Sequence, residues 1–358
     1  MADRYWILGT GTWSSTNTVN WSASSGGAGG ASVPTASDNV FFDANSNVGI
    51  GAFTCTMADT PRVCNDFTAS GLDGVMTLAG SSIGLTVSGS FFTPATNFSR
   101  TYTGTTTFNA TTTGKTITTQ AISLISGNFN GVGGGWSLAS AFTCSTLTLT
   151  NGTFDLAGYT SSSSVRFVTA GGTKNLTFNG GTLFCSGSGA FAFNNAAPSN
   201  FTTTAGIGTG TISMTAATAK TFVGGGSTFN CTLNQGGAGA LTITGSNTFS
   251  NITNTYKVTG ATSILFTAGT TSTFTDWNAS GESTRLLTIG SVTAASHTLS
   301  KASGTVSSDF LSISRSTATG GAGWYAGANS TDGGNNLGWI FTAPPAPSAG
   351  NGNFLVFF

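Results

Sequence analysis

A short pattern recurs in the central part of the chain: two runs of alternating apolar and polar residues joined by an Asn/Gly turn. The ten residues from Leu147 (LTLTNGTFDL) align without a gap with the ten from Leu176 (LTFNGGTLFC), 29 positions later, and Leu241 opens a third copy with one extra residue. Alternation with a period of two places Leu147 and Leu149 on one face of a strand. Asn and Gly favour tight turns. The pattern therefore predicts β-strands joined by sharp turns.

Two all-β architectures can use this pattern. A solenoid stacks each coil on the next, and its copies recur in register every ~20–45 residues, a range that includes the observed spacing. A β-sandwich or barrel array would pair neighbouring strands antiparallel, with turn signals every ~8–12 residues. The long in-register repeat favours the first architecture, a parallel β-helix (solenoid) with N- and C-terminal caps. The β-sandwich or barrel array is the alternative.

The composition is that of a folded chain without long helices. Glu occurs once, at Glu282, and 6% of the residues are charged, against ~25% in typical proteins. Disorder normally requires high net charge and few aromatic residues. Here the formal net charge is zero and 27 residues are Phe. Thr, Val, Ile and Phe suit a pleated sheet, so we expect an all-β fold.

A solenoid exposes its core and backbone edges at both ends and therefore requires caps. Six tryptophans lie near the two ends of the chain: Trp6, Trp13, Trp21, Trp277, Trp324 and Trp339. We predict an N-terminal cap with the first coils in residues 1–70, a solenoid body in 71–274, and the last coils with a C-terminal cap in 275–340. Residues 341–358 are a Pro/Gly linker with an apolar tip. Proline cannot donate to a β-ladder, so the solenoid is expected to stop before Pro344.

Two groups of residues are candidates for contact with a partner. The apolar tip would be an aggregation hazard if it were exposed, and its Pro- and Gly-rich tether lets it reach beyond its own solenoid. It either docks into another subunit or virion protein, or folds back onto its own last coil. The tryptophans of the N-terminal cap form the second group. The candidates are Phe354, Leu355, Val356, Phe357, Phe358, Trp6, Trp13 and Trp21.

Few residues offer catalytic chemistry. Glycosidases usually place two carboxylates across the scissile bond, but Asp155 is the only carboxylate between residues 74 and 275. We expect Asp155 at an outward turn. His297 is the only histidine, and no nucleophile elbow frames a serine at a strand-to-helix turn. We expect His297 on a strand or the surface, and we predict that the chain is not an enzyme.

Motifs for cofactors and metals are incomplete. Residues 109–116 lack the first glycine of a phosphate-binding loop, and a strand-like run follows Lys115 where that loop needs a helix. Asp43 begins a segment like a calcium loop, but its glycine, Gly49, comes one position late and its twelfth residue is Thr54 instead of Glu. We predict no cofactor, and we interpret the Asp43 segment as a solvated turn, with an isolated structural cation as the alternative.

Charge and cysteine content exclude further classes. Residues 74–275 carry six basic residues and one acid, which is too dilute for a groove that follows phosphates, so no nucleic-acid partner is expected. No apolar run is long enough to span a bilayer. The five cysteines, an odd number without a C-x-x-C pair, are predicted to be buried free thiols, with a Cys55–Cys64 disulfide as the alternative.

The N-terminus has no apolar segment of the kind found in secretory signals. A secreted adhesin would need an export signal, whereas a phage protein assembles in the host cytoplasm. We therefore expect a virion protein in preference to an adhesin.

Three stretches carry a resemblance to a known group: residues 4–13 with 29–43, the central repeat, and residues 310–327 with 331–339. Together they resemble a poorly characterised group of parallel β-helix proteins from tailed-bacteriophage structural genes and some bacterial surface proteins. The resemblance covers the chain except its last ~18 residues. It implies a virion appendage, either a tail fibre or spike or a capsid decoration, and it maps no catalytic residue.

That role implies particular partners. We expect a homotrimer, because phage fibres and spikes are usually trimeric, bound to a capsid or tail protein and in some cases to a host surface glycan. A host-glycan-degrading tailspike and a bacterial surface adhesin are the alternatives.

Overall fold

The computed structural model describes residues 1–47, 49, 51–120, 122–257 and 262–346. These residues form β-strands and one short 3-10 helix, Ala44–Ser46. The first strands are β1 (Asp3–Trp6), β2 (Gly11–Trp13), β3 (Trp21–Ser22), β4 (Asn39–Phe42), β5 (Phe53–Met57), β6 (Arg62–Cys64), β7 (Phe67–Ala69), β8 (Met76–Ala79), β9 (Leu85–Val87), β10 (Phe91–Thr93), β11 (Phe98–Arg100), β12 (Thr106–Phe108) and β13 (Lys115–Thr119).

The strands of the middle of the chain include several long ones that bend around a corner. They are β14 (Ser123–Leu138), β15 (Phe142–Asp155), β16 (Thr160–Thr169), β17 (Lys174–Thr177), β18 (Thr182–Cys185), β19 (Gly189–Asn194), β20 (Phe201–Thr204), β21 (Thr211–Met214), β22 (Lys220–Val223), β23 (Thr228–Gln235), β24 (Leu241–Thr244) and β25 (Thr248–Asn254). The last strands are β26 (Thr262–Phe266), β27 (Thr271–Phe274), β28 (Leu287–Ser291), β29 (His297–Ser300), β30 (Thr305–Ser307), β31 (Leu311–Ile313), β32 (Ser316–Thr319), β33 (Gly323–Tyr325), β34 (Thr331–Asp332) and β35 (Trp339–Ile340).

The strands stack in parallel into a solenoid with three faces that repeat for about 12 turns. Face one contains β1, β4, β7, β10, β13, β17, β20, β27, β29 and β32, with the ends of β14 and β15 and the starts of β23 and β25. Face two contains β6, β9, β12, β19, β22, β24, β26, β28, β31 and β34, with the middle of β14 and β15 and the end of β16. Face three contains β2, β5, β8, β11, β18, β21, β30, β33 and β35, with the starts of β14, β15 and β16 and the ends of β23 and β25.

The prediction of an all-β parallel solenoid is confirmed, and the β-sandwich or barrel array is wrong. The pairing continues without a break across residues 70 and 275, where β7 pairs with β10 and β27 pairs with β29. The predicted boundaries near residues 70 and 275 therefore divide one continuous stack of strands. The last strand, Trp339–Ile340, ends before Pro344, as expected.

The repeat spacing of 29 is not the length of a coil at the place where we read it. Leu147 pairs with Phe167, 20 positions later, on face two, whereas Leu176 lies on face one, opposite Phe154. The two sequence copies therefore occupy different corners of the solenoid. Coil length varies because the corner loops differ in length. A coil of 29 residues does occur elsewhere, for example between Leu183 and Ile212 and between Phe193 and Phe222.

The core consists of inward-facing side chains that stack from one coil to the next. On face two, the rings of Phe167, Phe193 and Phe222 are parallel, with centroids 4.8 and 4.3 Å apart. The rings of Phe129 and Phe154, at the corner between faces two and one, are 4.3 Å apart. Strands in a sheet lie ≈ 4.7–4.9 Å apart, so a flat ring on each coil fills this spacing.

Both ends are closed by tryptophans, as predicted. At the N-terminal end Trp21 packs edge-on against Trp6 (5.1 Å) and Trp13 (5.2 Å). At the C-terminal end Trp324 lies 5.6 Å from Trp277 and 5.1 Å from Trp339. These bulky rings replace the coil that would otherwise cover the core.

The corners require residues with small side chains. Gly152, at a corner between faces two and one, has a φ of +82°, and a Cβ there would lie 2.5 Å from the carbonyl oxygen of Gly131. Consecutive coils approach too closely at this corner for any other residue, so the Asn-Gly turn of the sequence pattern is a steric requirement.

Phe193→Ala is expected to lower the free energy of unfolding by about 3–5 kcal/mol, because it removes the middle ring of a fully buried stack. Phe191, two positions earlier in the same strand, is 54% exposed, so Phe191→Ala should change stability by less than about 0.5 kcal/mol. Chemical denaturation followed by circular dichroism measures both. Equal effects of the two variants would contradict the described register.

Candidate functional site

Asp155 lies at the end of β15 and holds a corner in place. Its carboxylate accepts hydrogen bonds from the Asn179 side chain (2.9 Å), the backbone N–H of Ala157 (2.8 Å) and the hydroxyl of Ser137 (3.4 Å). The Asn179 and Ser137 side chains come from the coils on either side. The expectation of a turn position is confirmed, and the carboxylate is occupied by structural contacts.

The carboxylates of the C-terminal part are paired with bases or amides. Glu282 lies 3.7 Å from Lys257 and 3.8 Å from Arg285, and Asp309 accepts a hydrogen bond of 2.7 Å from the Asn329 side chain. Within the described residues, no group of three or more His, Cys, Asp or Glu side chains could hold a metal ion.

His297 is the first residue of β29, and it is buried. Its ring stacks on Phe266 with centroids 4.7 Å apart, and Nδ1 lies 2.9 Å from the Ser291 hydroxyl. Nε2 has no hydrogen-bond partner among the described residues. Burial lowers the pKa of His297 to about 4. The expectation that His297 lies on a strand is confirmed, and the alternative of a surface position is wrong. As a buried, neutral imidazole, His297 contributes to the core.

The incomplete phosphate loop leads into strand β13, as predicted, and Lys115 is its first residue. Two other lysines are buried at corners instead of being presented to a ligand. Lys174 Nζ donates to the carbonyls of Gly171 (3.0 Å), Gly172 (3.0 Å) and Ser199 (3.1 Å). Burial lowers the pKa of Lys220 to about 8.

The segment that resembles a calcium loop uses its polar groups internally. Asp43 caps the 3-10 helix by accepting a hydrogen bond of 2.9 Å from the backbone N–H of Asn45. The side chain of Asn45 donates to Ser25, and that of Asn47 donates to the carbonyl of Gly51. These contacts support the interpretation as a turn.

All five cysteines are buried and free, as predicted, and the Cys55–Cys64 disulfide is wrong. Cys55 lies on face three and Cys64 on face two. Burial raises the pKa of Cys144 and of Cys185 to about 12, so these thiols are protonated at neutral pH and poor nucleophiles.

The partner-contact candidates fall into two groups. Trp6, Trp13 and Trp21 are fully buried, so a partner could reach their rings only by opening the cap. Their burial gives the expected contact no support, and it stays a prediction. The tip, Phe354, Leu355, Val356, Phe357 and Phe358, lies outside the described residues.

Strands with a single partner lie at both ends of the solenoid. At the N-terminal end, β1 pairs with β4 on one side and with the short antiparallel strand β3 on the other, whereas in the described residues β2 pairs only with β5 and β6 only with β9. At the C-terminal end, β34 pairs with β31 and β35 with β33, and in the described part of the chain neither has a second partner. Leu337 (68%) and Ile340 (39%) are exposed beside these edges.

A cleft beside the N-terminal cap contains an ion pair between the buried Arg62 and the exposed Asp59 that sequence reasoning missed. Arg62 begins β6, its side chain is 5% exposed, and it binds Asp59 at 2.6 Å. Hydrogen bonds led by that from the Ser15 backbone N–H lower the pKa of Asp59 to about 2. The cleft, about 280 Å³, also includes Trp13 and Pro34. These residues come from three separate segments, and no local motif marks them.

No helix in the described part of the chain is long and apolar enough to cross a membrane. Comparisons of the chain with protein-family models, curated proteins and solved structures found no match. The resemblance to phage and bacterial surface proteins therefore stays a prediction.

Stability is expected to depend on pH through His297. The pKa is lowered in the folded state to about 4 from 6.5, so between these values the unfolded chain binds a proton that the folded chain does not. The free energy of unfolding should therefore fall by about 3 kcal/mol as the pH is lowered from 6.5 to 4, at 1.36 kcal/mol per pKa unit. Denaturation midpoints measured across this range test the prediction.

The matched variant is His297→Phe, which keeps a ring against Phe266 and removes the titrating group. Ser291 retains an acceptor, the carbonyl of Arg315. The variant should show a flatter profile between pH 4 and 6.5. An unchanged profile would mean that carboxylates, and not His297, set the pH dependence.

Proposed function

We propose that the chain is a non-enzymatic structural protein of a bacteriophage virion, a tail fibre or spike or a capsid decoration, assembled in the host cytoplasm. The observation that carries this proposal is the pair of strands β34 and β35 at the C-terminal end of the rod. In the described residues each of these strands has one partner, and the exposed apolar side chains of Leu337 and Ile340 lie at these edges. Unpaired edges favour pairing with another chain.

The outer surface fits a passive appendage. Its ladders consist of neutral hydrogen-bonding groups, for example Thr150 to Asn128 (2.9 Å) and Asn151 to Asn130 (2.9 Å), which link coil to coil. Such groups offer no nucleophile of lowered pKa and no general acid. We therefore expect a rigid rod without a catalytic site.

The resemblance of residues 4–13, 29–43 and 310–339 to phage structural proteins supports the same role. The homotrimer rests on the usual trimeric state of phage fibres and spikes, and not on the fold of a single chain. The partner at the attached end is a capsid or tail protein. A bacterial surface adhesin is the alternative that the same fold would serve.

Leu337→Asp is expected to reduce incorporation of the chain into particles by about tenfold or more, because it places a charge beside the unpaired edges of the C-terminal end. Val19, 62% exposed at the N-terminal end, supplies the control: Val19→Asp should be incorporated normally. Immunoblots of purified particles measure both. Recovery of the unmodified chain in the cell-envelope fraction, and not in particles, would favour the adhesin.

Incubation of the purified chain with capsular polysaccharide or lipopolysaccharide is expected to release no reducing ends or unsaturated products. Asp155, the only carboxylate between residues 74 and 275, is committed to corner hydrogen bonds, and hydrolysis ordinarily needs two carboxylates. A reducing-end assay and absorbance of unsaturated products measure this. Cleavage by the unmodified chain that disappears in Asp155→Asn would establish the glycan-degrading tailspike instead.

A further inference from the structure

The wall of face three is interrupted between β11 and the start of β14. Strand β11 ends a four-stranded sheet and pairs with β8, and the first residues of β14 pair with β15. Within the described residues no backbone pairing joins β11 to β14, although β12 and β13 of the same coil both pair with β14. A cavity of about 230 Å³ lies at this interruption, lined by Phe98, Ser99, Arg100, Ile122 and Ser123.

Arg100 occupies a position at which this face otherwise directs side chains into the core. It lies opposite the fully buried Leu78, but Arg100 itself is only half-buried. Its Nε donates to the carbonyl of the exposed Ser123 (2.9 Å), and its Nη1 donates to the carbonyl of Tyr102. The guanidinium lies 5.1 Å from the centre of the Tyr102 ring. These contacts hold the guanidinium at the cavity, and Nη2 makes no hydrogen bond to the described part of the protein.

The charge of Arg100 is not neutralised by the protein. Arg100 forms no ion pair with a described residue, whereas Arg62 contacts Asp59 at 2.6 Å. Asp155, the only carboxylate between residues 74 and 275, is committed to a corner. A positioned guanidinium without an acidic partner suits an oxyanion from outside the chain, because its planar fork matches carboxylate and phosphate groups.

The size and charge of the cavity favour a carboxylate. Its volume is below the lower limit of small-molecule sites, ~300 Å³, so it suits one group of a larger ligand. Arg100 is the only charged residue of the lining, and its single positive charge balances the single negative charge of a carboxylate. A phosphate monoester carries about −1.5 to −2 at neutral pH, which would leave part of its charge unbalanced. The Ser123 hydroxyl, which makes no hydrogen bond in the described residues, adds a neutral donor.

We propose that this cavity binds the carboxylate of an acidic saccharide, with Nη2 of Arg100 and the hydroxyl of Ser123 donating to the carboxylate oxygens. The carboxylate chemistry rests on the cavity alone. The choice of a saccharide as its carrier rests on the proposed function, since an appendage of this kind meets cell-surface glycans.

The test measures binding of glucuronate to the full chain by isothermal titration calorimetry at low ionic strength. Glucuronamide and glucose are the neutral comparison ligands, and acetate and inorganic phosphate are the comparison anions. We expect binding of glucuronate at millimolar concentrations that weakens as salt is added, because salt screens exposed charges. Glucuronamide and glucose should not bind detectably.

Equal binding of glucuronamide, or no binding of glucuronate, would overturn the proposal. Phosphate that binds more tightly than glucuronate would overturn the choice of a carboxylate. Acetate that binds as tightly as glucuronate would overturn the choice of a saccharide as the carrier.

Arg100→Gln and Arg166→Gln are matched variants, because each removes an arginine that forms no ion pair with a described residue, and Arg166 is exposed outside the cavity lining. Arg100→Gln should weaken glucuronate binding about tenfold or more, the usual worth of a hydrogen bond between charged groups. Arg166→Gln should leave binding unchanged. Equal losses in the two variants would assign the binding to the overall charge of the rod and overturn the site.

Ser123→Ala provides a variant that does not disturb the contact between coils, because it keeps the carbonyl that accepts from Arg100. It should weaken glucuronate binding about three- to tenfold, the usual worth of one neutral hydrogen bond, and leave the circular dichroism spectrum unchanged. Unchanged binding would overturn the role of this hydroxyl. Incorporation into particles depends on the C-terminal end of the rod, so the failure of one proposal leaves the other standing.

Discussion

The structure depends on parallel backbone pairing between one coil and the next. That pairing sets the distance between equivalent positions, ≈ 4.7–4.9 Å, and every side chain must tolerate a neighbour at this distance. Flat rings do so inside, where Phe193 lies 4.3 Å from Phe222. Like charges would repel one another on the outside, which explains why Thr, Ser and Asn cover the faces and why only 6% of the residues are charged.

The architecture could be predicted because alternation and Asn/Gly turns are local signals. The length of a coil could not, since it is the sum of three strands and three corner loops that vary independently. The same strand-turn-strand pattern fits at more than one corner, and so Leu147 and Leu176 look equivalent in sequence while lying on different faces. The sequence repeat therefore identifies the strand-turn-strand segment that forms a corner, and not the full coil that stacks on the next coil.

The cleft near the N-terminal cap could not be predicted, because the residues that line it are far apart in the sequence. They are connected by the first coil, which is the longest. Trp13 and Arg62 lie 49 positions apart, and Pro34 comes from the segment between β3 and β4. The tryptophans were recognised as a cap, but sequence does not indicate which indole N–H finds an acceptor. Trp6 donates to the carbonyl of Gly9 (2.7 Å), whereas Trp13 does not reach one.

Scarcity of charge also limits how this molecule can recognise anything. Where cations are buried, they are committed to the fold: Lys174 to three carbonyls and Arg62 to Asp59. Long-range electrostatic attraction is therefore weak, and association with a partner has little electrostatic steering. Beyond the single charge of a positioned guanidinium, specific binding must come from neutral hydrogen bonds and apolar contacts at short range. Such groups also link coil to coil along the stacked faces, as Thr150 does with Asn128 and Asn151 with Asn130, so the same chemistry that could recognise a partner holds the rod together.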